Sequence, residues 1–209
     1  MEALFPSFCI GCGCRSVSLV CESCLDKLII IRSPDDCFGR PLLVALNYRD
    51  PLVSKMIRSL KFEGLTEIAD ILAKIAAKRL SLELSPLINS RTVIIPLPIH
   101  YFRKITRGFD QTGLITERIG SLINIPVVHA LKRTKYSLPQ SAISDPLHRK
   151  KNIAHSFIPE KDAVSLRGKI AILVDDVSTS GGTMREAEKA LRKLKPKKII
   201  LFAVAKSIN

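Results

Sequence analysis

Residues 172–184, ILVDDVSTSGGTM, join an apolar run to two carboxylates and then to small hydroxyl and glycine residues. The apolar run is typical of a buried parallel strand, and open α/β sheets bind ligands at the carboxyl ends of such strands. Small residues let successive backbone N–H groups point at one anion, and the N-terminus of a following helix adds partial positive charge. The segment therefore predicts a phosphate-binding loop made of Ser178, Thr179, Ser180, Gly181, Gly182 and Thr183.

The two carboxylates, Asp175 and Asp176, need a different part of the ligand because they would repel a phosphate. Sugar hydroxyls, held directly or through Mg²⁺, suit carboxylate oxygens. A ribose 5-phosphate satisfies both halves of the segment. A solvated acidic pair before a glycine-rich turn is the structural alternative. A Walker-type nucleotide loop is excluded because no Gly-Lys-Ser/Thr ending is present.

Four cysteines near the N-terminus form two CxxC pairs, and the spacing suits one tetrahedral zinc ion held by Cys9, Cys12, Cys21 and Cys24. Disulfides are the alternative, which a reducing compartment disfavours. A redox-active CxxC motif is the other alternative, but neither cysteine pair follows an evident strand and opens a helix. Cys14 remains as a competing ligand, and Cys37 is expected to be a small buried hydrophobe.

A second basic segment, IPLPIHYFRKITRGFDQ at 95–111, follows another apolar run. It should therefore reach the same edge of the sheet as the phosphate-binding loop. Arg103, Lys104 and Arg107 would neutralise a diphosphate there, and Gly108 permits close backbone approach. An ordinary solvated basic loop is the alternative.

The elements that must position these residues alternate along the chain. Strands are predicted at 42–48, 92–98, 125–128, 169–175 and 197–205. Helices are predicted from Asp50 to Gly64, from Leu65, at 112–123 and at 183–195. This alternation predicts an α/β fold with a mostly parallel sheet covered on both faces. Residues 129–156 lack periodicity and are expected to form a functional loop.

Composition limits the functional classes. The net charge is +14, whereas the segment up to residue 40 holds four basic and five acidic residues, so the excess belongs to the remainder. Aromatic residues are only 5% of the chain, which argues against a surface of many base-stacking platforms. No apolar run approaches a membrane span, and the N-terminus does not resemble a signal peptide. We expect a cytoplasmic protein.

Basic residues also crowd the aperiodic region. Six of them, against Asp145 alone, lie in 129–151: Lys132, Arg133, Lys135, Arg149, Lys150 and Lys151. A mobile loop closing over a phosphorylated ligand and a track for a polyanion both explain this cluster. Tyr136 is a candidate for stacking on a base, so binding of single-stranded DNA is predicted here.

These motifs together resemble a known family. VDDVSTSGGT is similar to the phosphoribosyl-pyrophosphate (PRPP) motif of type I phosphoribosyltransferases. The chain as a whole resembles the ComF family of competence-associated proteins. The resemblance also includes the double CxxC, LKFEG at 60–64 and the 95–111 segment. The resemblance implies a zinc-finger-like segment at 1–38 and a phosphoribosyltransferase-like domain at 39–209. It also implies that Asp175 and Asp176 hold the ribose hydroxyls and residues 179–183 the 5-phosphate.

The sequence departs from the family pattern at three places. Ser178 stands where an apolar residue is usual, and Asp110 stands where Asn is expected, close to the diphosphate. Arg133, Gln140, Arg149, Asn152 and Phe157 match a loop pattern, although the spacing from Gln140 to Arg149 is one residue longer.

Two functions follow from the resemblance. The first is a PRPP-binding protein of DNA uptake that uses Mg²⁺, binds single-stranded DNA and contacts other DNA-uptake proteins. The alternative is an active phosphoribosyltransferase with an unidentified acceptor, in which Asp175 or Asp176 stabilises the cationic transition state.

Overall fold

The computed structural model describes residues 8–37, 39–87, 91–135, 154–161 and 165–207. Its strands are β1 (Asp35–Asp36), β2 (Pro41–Asn47), β3 (Thr92–Pro96), β4 (Leu131–Arg133), β5 (Phe157–Pro159), β6 (Ile170–Ser178) and β7 (Lys198–Lys206). Its α-helices are α1 (Glu22–Leu25), α2 (Pro51–Arg58), α3 (Ile68–Leu84), α4 (Tyr101–Arg107), α5 (Gln111–Ile123) and α6 (Gly182–Arg192). A π-helical turn, Ser59–Glu63, extends α2, and a 3₁₀ turn, Ser85–Leu87, follows α3.

The main sheet has the order β1-β2-β7-β6-β3, and its strands are parallel except for β1. Strand β6 lies between β7 and β3, which places Asp175 opposite Ala203 near the carboxyl edge. Central strands of parallel sheets are buried on both faces, and β6 is buried along most of its length. The predicted parallel α/β sheet is confirmed.

Helices cover both faces of the sheet. Buried residues of α2, α3 and α5 form one core with one face of the strands, and this core includes Cys9, Val20 and Cys24 from the N-terminal segment. The opposite face packs against α6 and the β4–β5 pair. The cysteine-rich segment is thus packed onto the same apolar core that supports the sheet.

Local signals set several boundaries. Asp50 caps α2 by accepting hydrogen bonds from the Leu52 and Val53 amides at 2.8 and 3.2 Å, as predicted. Gly64 ends the π-helical turn with a φ of 71°, a conformation that favours glycine.

The structure corrects two predicted elements. The strand expected at 125–128 forms a single bridge between Val127 and Ile94, because Pro126 has no N–H to continue a ladder. The region from 99 to 107, for which no helix is predicted from the sequence, contains α4.

A buried arginine ties the N-terminal segment to the sheet. The Arg79 side chain on α3 donates from Nε to the Val44 carbonyl at 3.3 Å and from Nη2 to the Arg32 carbonyl at 2.6 Å. Its Nη1 pairs with Glu83 at 2.8 Å. Three elements therefore depend on one guanidinium.

We expect Arg79→Met to lower the free energy of unfolding by about 2–3 kcal/mol, because two buried carbonyls would lose their donor. Urea unfolding followed by circular dichroism measures this. Arg118→Met is the matched control: it removes an ion pair with Asp70 at the surface, and we expect a loss below about 1 kcal/mol. Equal losses in the two variants would contradict the bridging role of Arg79.

Candidate phosphate site and metal centre

The acidic pair lies buried at the carboxyl edge of the sheet. Asp175 and Asp176 are 8% and 6% exposed. The Asp176 amide donates to Asp175 Oδ1 at 2.9 Å, and the Val177 amide donates to Asp176 Oδ1 at 2.7 Å. These bonds fix both side chains at the end of β6, beside a cavity of about 670 Å³.

A lysine from another element neutralises one of the two carboxylates. Lys61 Nζ lies 2.8 Å from Asp176 Oδ2. Burial raises the pKa of Asp175 well above its ordinary value, and the neighbouring Asp176 raises it further. Burial also disfavours the charged form of Asp176, but the Lys61 ammonium outweighs it and lowers the pKa of Asp176. The pair therefore divides into one stabilised anion and one carboxyl group whose negative charge is poorly compensated.

The loop after β6 has the form that the sequence predicts for a phosphate-binding loop. Thr179 and Ser180 connect β6 to Gly181, and α6 begins at Gly182. Gly181 has a φ of 76°, and a Cβ there would lie 2.4 Å from the Sγ of Cys37. The loop requires glycine at this position for its conformation and for its packing on Cys37, which is buried as predicted.

Ser178 and Thr183 border the same cavity, and Ser178 is only 3% exposed. The Ser178 hydroxyl has no hydrogen-bond partner among the described residues. A buried polar group of this kind is destabilising, in keeping with the departure from an apolar residue at this position.

Helix α4 supplies cations on the other side of the cavity. Arg103 and Arg107 line it, and Gly108 ends the helix with a φ of 78°. The Arg107 guanidinium lies 5.4 Å from the centre of the Phe62 ring, and burial lowers the pKa of Arg107. Arg107 and Gly108 are thus at the sheet edge where the sequence predicts them.

Asp110 serves as a helix cap. Its Oδ1 accepts a hydrogen bond from the Gly113 amide at 2.9 Å at the start of α5. Asn and Asp cap helices about equally well, which explains how the departure from the family pattern is accommodated. Burial raises the pKa of Asp110, and the negative charge of Asp176 raises it further.

The basic cluster of the aperiodic region is divided by the structure. Arg133 reaches a small cavity of about 140 Å³ that Lys61, Arg103 and Asp175 also line, and its guanidinium lies 5.3 Å from the Phe157 ring centre. Burial and then the charge of Arg103 lower the pKa of Arg133 to about 10, so it stays protonated at neutral pH.

The lysines of this cluster lie elsewhere. Lys132 is half-buried on β4, and Lys135 Nζ donates to the Ala154 carbonyl at 3.0 Å. The other three basic residues of the cluster, Arg149, Lys150 and Lys151, lie outside the described residues. The same holds for Tyr136, Gln140 and Asn152.

Residue types alone did not assign roles to part of this site. The sequence motif LKFEG contains Lys61 and Phe62 without indicating that either one meets the acidic pair. The cavity lining also includes Tyr48 and Arg58. The π-helical turn decides where Lys61 points, and such turns frequently occur at functional sites.

The four predicted cysteine ligands form one cluster. The sulfurs of Cys9, Cys12, Cys21 and Cys24 all lie within 4.8 Å of one another, and those of Cys12 and Cys21 are 3.7 Å apart. A tetrahedral zinc with Zn–S bonds of about 2.3 Å requires sulfurs about 3.8 Å apart. Cys14 is not one of these four residues, although hydrogen bonding with the Cys12 and Cys21 thiols raises the pKa of the Cys14 thiol.

The surroundings of Cys9 suit a thiolate. The Gly11 and Cys21 amides each donate to Cys9 Sγ at 3.3 Å. Burial raises the pKa of Cys9, but the N–H donors around the sulfur outweigh it and bring the pKa to about 6. A Cβ at Gly11 would lie 2.9 Å from the sulfur of Cys24, so the first CxxC turn requires glycine. This donor set fits zinc.

Comparison with known proteins agrees with this architecture. The model of the phosphoribosyl transferase domain family matches residues 65–208. Competence protein F of Haemophilus influenzae is 28% identical, over 97% of this chain and 86% of that protein. The chain belongs to the ComF family of phosphoribosyltransferase-domain proteins. DNA utilization protein YhgH of Escherichia coli K12 is 29% identical over 88% of this chain and 78% of its own length.

A third ComF relative, competence protein ComFC of Bacillus subtilis, is 25% identical over 91% of this chain and 74% of that protein. The family resemblance and the type I phosphoribosyltransferase fold are both confirmed. Within the described part of the chain, no helix has the length and apolar character that crossing a membrane requires.

We expect Cys21→Ser to release zinc and to destabilise the N-terminal segment, because three sulfurs do not close a tetrahedral site. Elemental analysis of protein purified without chelator measures the ion. Cys14→Ser is the matched control and should retain one zinc per chain. Protein that lacks stoichiometric metal before any substitution would contradict the zinc site.

Asp110→Asn should raise the free energy of unfolding at neutral pH. A carboxyl group with a raised folded-state pKa stabilises the fold only below its unfolded pKa, and that stability is lost as pH rises through the folded pKa. Asparagine keeps the cap without the buried charge. The difference in the free energy of unfolding between the variant and the wild type should therefore shrink towards zero below about pH 4. Urea unfolding as a function of pH tests this, and a pH-independent difference would contradict it.

Proposed function

We propose that this chain binds PRPP at the carboxyl edge of its sheet, with Mg²⁺ accompanying the diphosphate. One observation carries the proposal: of two adjacent buried carboxylates, Asp176 forms an ion pair with Lys61, whereas Asp175 retains a raised pKa. Such an arrangement calls for hydroxyl donors or a cation from a ligand. The ribose hydroxyls of PRPP, or Mg²⁺, meet this need.

The neighbouring groups have the right charge for the rest of PRPP. Backbone N–H groups of residues 179–183 and the N-terminus of α6 suit the 5-phosphate. The guanidinium groups of Arg103, Arg107 and Arg133 border the same space and suit the diphosphate. Arg133 is thereby proposed as a ligand of PRPP in addition to its predicted role towards nucleic acid.

The carboxylate oxygens of Asp175 and Asp176 also fit Mg²⁺, which prefers such hard ligands. When bound, Mg²⁺ would neutralise developing charge on the leaving diphosphate. The residues of the chain would hold the ribose, exclude water from the buried side of the sheet edge, and place the three guanidinium groups around the diphosphate.

Catalysis is a second candidate function. The cavity lining includes Tyr48, Arg58 and Phe62, which the roles above do not use. This part of the cavity offers room for an acceptor beside the ribose. Release of pyrophosphate on incubation with PRPP and candidate acceptors tests the enzymatic function, and its absence would leave PRPP as a bound effector.

A role in DNA uptake is supported by the ComF relatives, whose names refer to competence and DNA utilization. We propose that this chain handles single-stranded DNA and works with other proteins of DNA uptake. The net charge of +14 favours binding of a polyanion, with an affinity that falls steeply with salt.

Asp175→Asn/Asp176→Asn should weaken Mg²⁺-dependent PRPP binding at least about tenfold, measured by titration calorimetry, because a neutral amide pair cannot hold both the ribose and the cation. The same variant should remain folded, and Asp175→Asn alone should raise the free energy of unfolding at pH 7, since it removes a poorly compensated buried charge.

The matched control is Asp70→Asn/Glu117→Gln, which neutralises two exposed carboxylates on α3 and α5. We expect it to leave PRPP affinity unchanged. Equal PRPP affinity in the wild type and in the Asp175/Asp176 variant would refute the proposed site.

A further inference from the structure

Helix α4 differs from the other five described α-helices because it has no buried residue. Tyr101, Phe102 and Ile105 are 67%, 59% and 57% exposed. Aromatic side chains normally lie in cores or at interfaces, where their large apolar area is removed from water. Packing against the core therefore does not explain the sequence of α4.

The charges of the same helix are all positive. Arg103, Lys104 and Arg107 belong to α4, and its sequence, YFRKITR, contains no acidic residue. Arg103 and Arg107 reach the cavity next to the acidic pair, whereas Lys104 is exposed. The helix therefore presents aromatic rings and cations together at the mouth of the phosphate site.

The rings at the start of α4 contact one another. His100 caps α4 by accepting a hydrogen bond from the Phe102 amide at 3.3 Å, and its ring stacks on Phe102 with centroids 5.5 Å apart. The Tyr101 and Phe102 rings are 6.3 Å apart. A preorganised ring loses little conformational entropy when it binds a flat partner.

We propose that α4 is the surface on which single-stranded DNA lies, with unpaired bases stacked on Tyr101 and Phe102 and with phosphates contacting Lys104 and Arg103. The proposal rests on the proposed DNA-handling function and gives it a location. Stacking platforms next to cations are the general means by which proteins bind single strands without reading sequence. The helix is about 10 Å long, which matches about three stacked nucleotides.

The observations favour α4 over the cluster at 129–151 as the main contact with DNA. Of the three described cluster residues, Arg133 faces the cavity, Lys135 donates to the Ala154 carbonyl, and Lys132 is half-buried on β4. Tyr136, the stacking candidate of that cluster, lies outside the described residues, whereas the Tyr101 and Phe102 rings of α4 are exposed. A duplex, whose bases are already paired and stacked, would not use the rings of α4.

Fluorescence anisotropy with a labelled oligothymidylate of about 20 nucleotides tests the proposal on the full, zinc-loaded chain. Tyr101→Ala/Phe102→Ala should weaken binding about fivefold or more for each ring removed. Leu82→Ala/Leu122→Ala removes two exposed apolar side chains elsewhere and should leave affinity unchanged. Tyr101→Phe keeps the ring and should bind like the wild type.

Salt dependence separates the rings from the charges. Lys104→Gln should flatten the slope of log affinity against log salt by about 0.7, the value for one phosphate contact on a single strand. Lys78→Gln, an exposed lysine on α3, should leave the slope unchanged. The ring variant should keep the wild-type slope, because no charge is removed.

PRPP calorimetry on the same proteins distinguishes this proposal from the proposed PRPP site. Tyr101→Ala alone, which leaves the His100–Phe102 stack in place, should bind PRPP like the wild type and DNA more weakly. Unchanged DNA affinity in both ring variants would overturn the α4 surface whatever the PRPP result. Equal affinity for a duplex of the same length, or ring-dependent binding to anionic phospholipid vesicles in place of DNA, would also overturn it.

Discussion

Two neighbouring carboxylates buried at the end of a central strand set the main constraint on this fold. Burying one carboxylate is costly, and a second one beside it raises the cost. Lys61 relieves that cost at Asp176, and it reaches this position because the chain after α2 winds into a π-helical turn. The segment from Pro51 to Gly64 is thus held in place by its apolar face and by charge together.

The same constraint explains the distribution of positive charge around the site. Arg103 and Arg107 come from α4 and Arg133 comes from β4, and all three converge on one edge of the sheet. They surround the acidic pair, in which Asp176 forms an ion pair with Lys61. This edge of the sheet has buried carboxylates at the end of β6 and guanidinium groups around them. The arrangement suits a ligand with both hydroxyl and phosphate groups.

The N-terminal segment is linked to this site through the core. Cys9 and Cys24 pack in the same apolar cluster as α2 and α3, and Arg79 binds the carbonyl of Arg32 beside that of Val44. Because α2 leads directly to Lys61, a metal bound by the cysteine cluster would support the same face of the sheet that carries the ion pair.

Residue type and spacing alone determined the strands at 42–48, 92–98, 169–175 and 197–205, the grouping of the two CxxC pairs and the glycine-rich turn after β6. These signals are local: an apolar run, a CxxC pair or a glycine-rich turn carries its own physical reason. Only the tertiary structure decided that Lys61 neutralises Asp176 and that Arg133 enters the cavity. It also decided that the two aromatic rings of α4 are exposed and do not pack in the core. Each of these depends on where a side chain lies relative to residues distant in sequence, and no local pattern contains that distance.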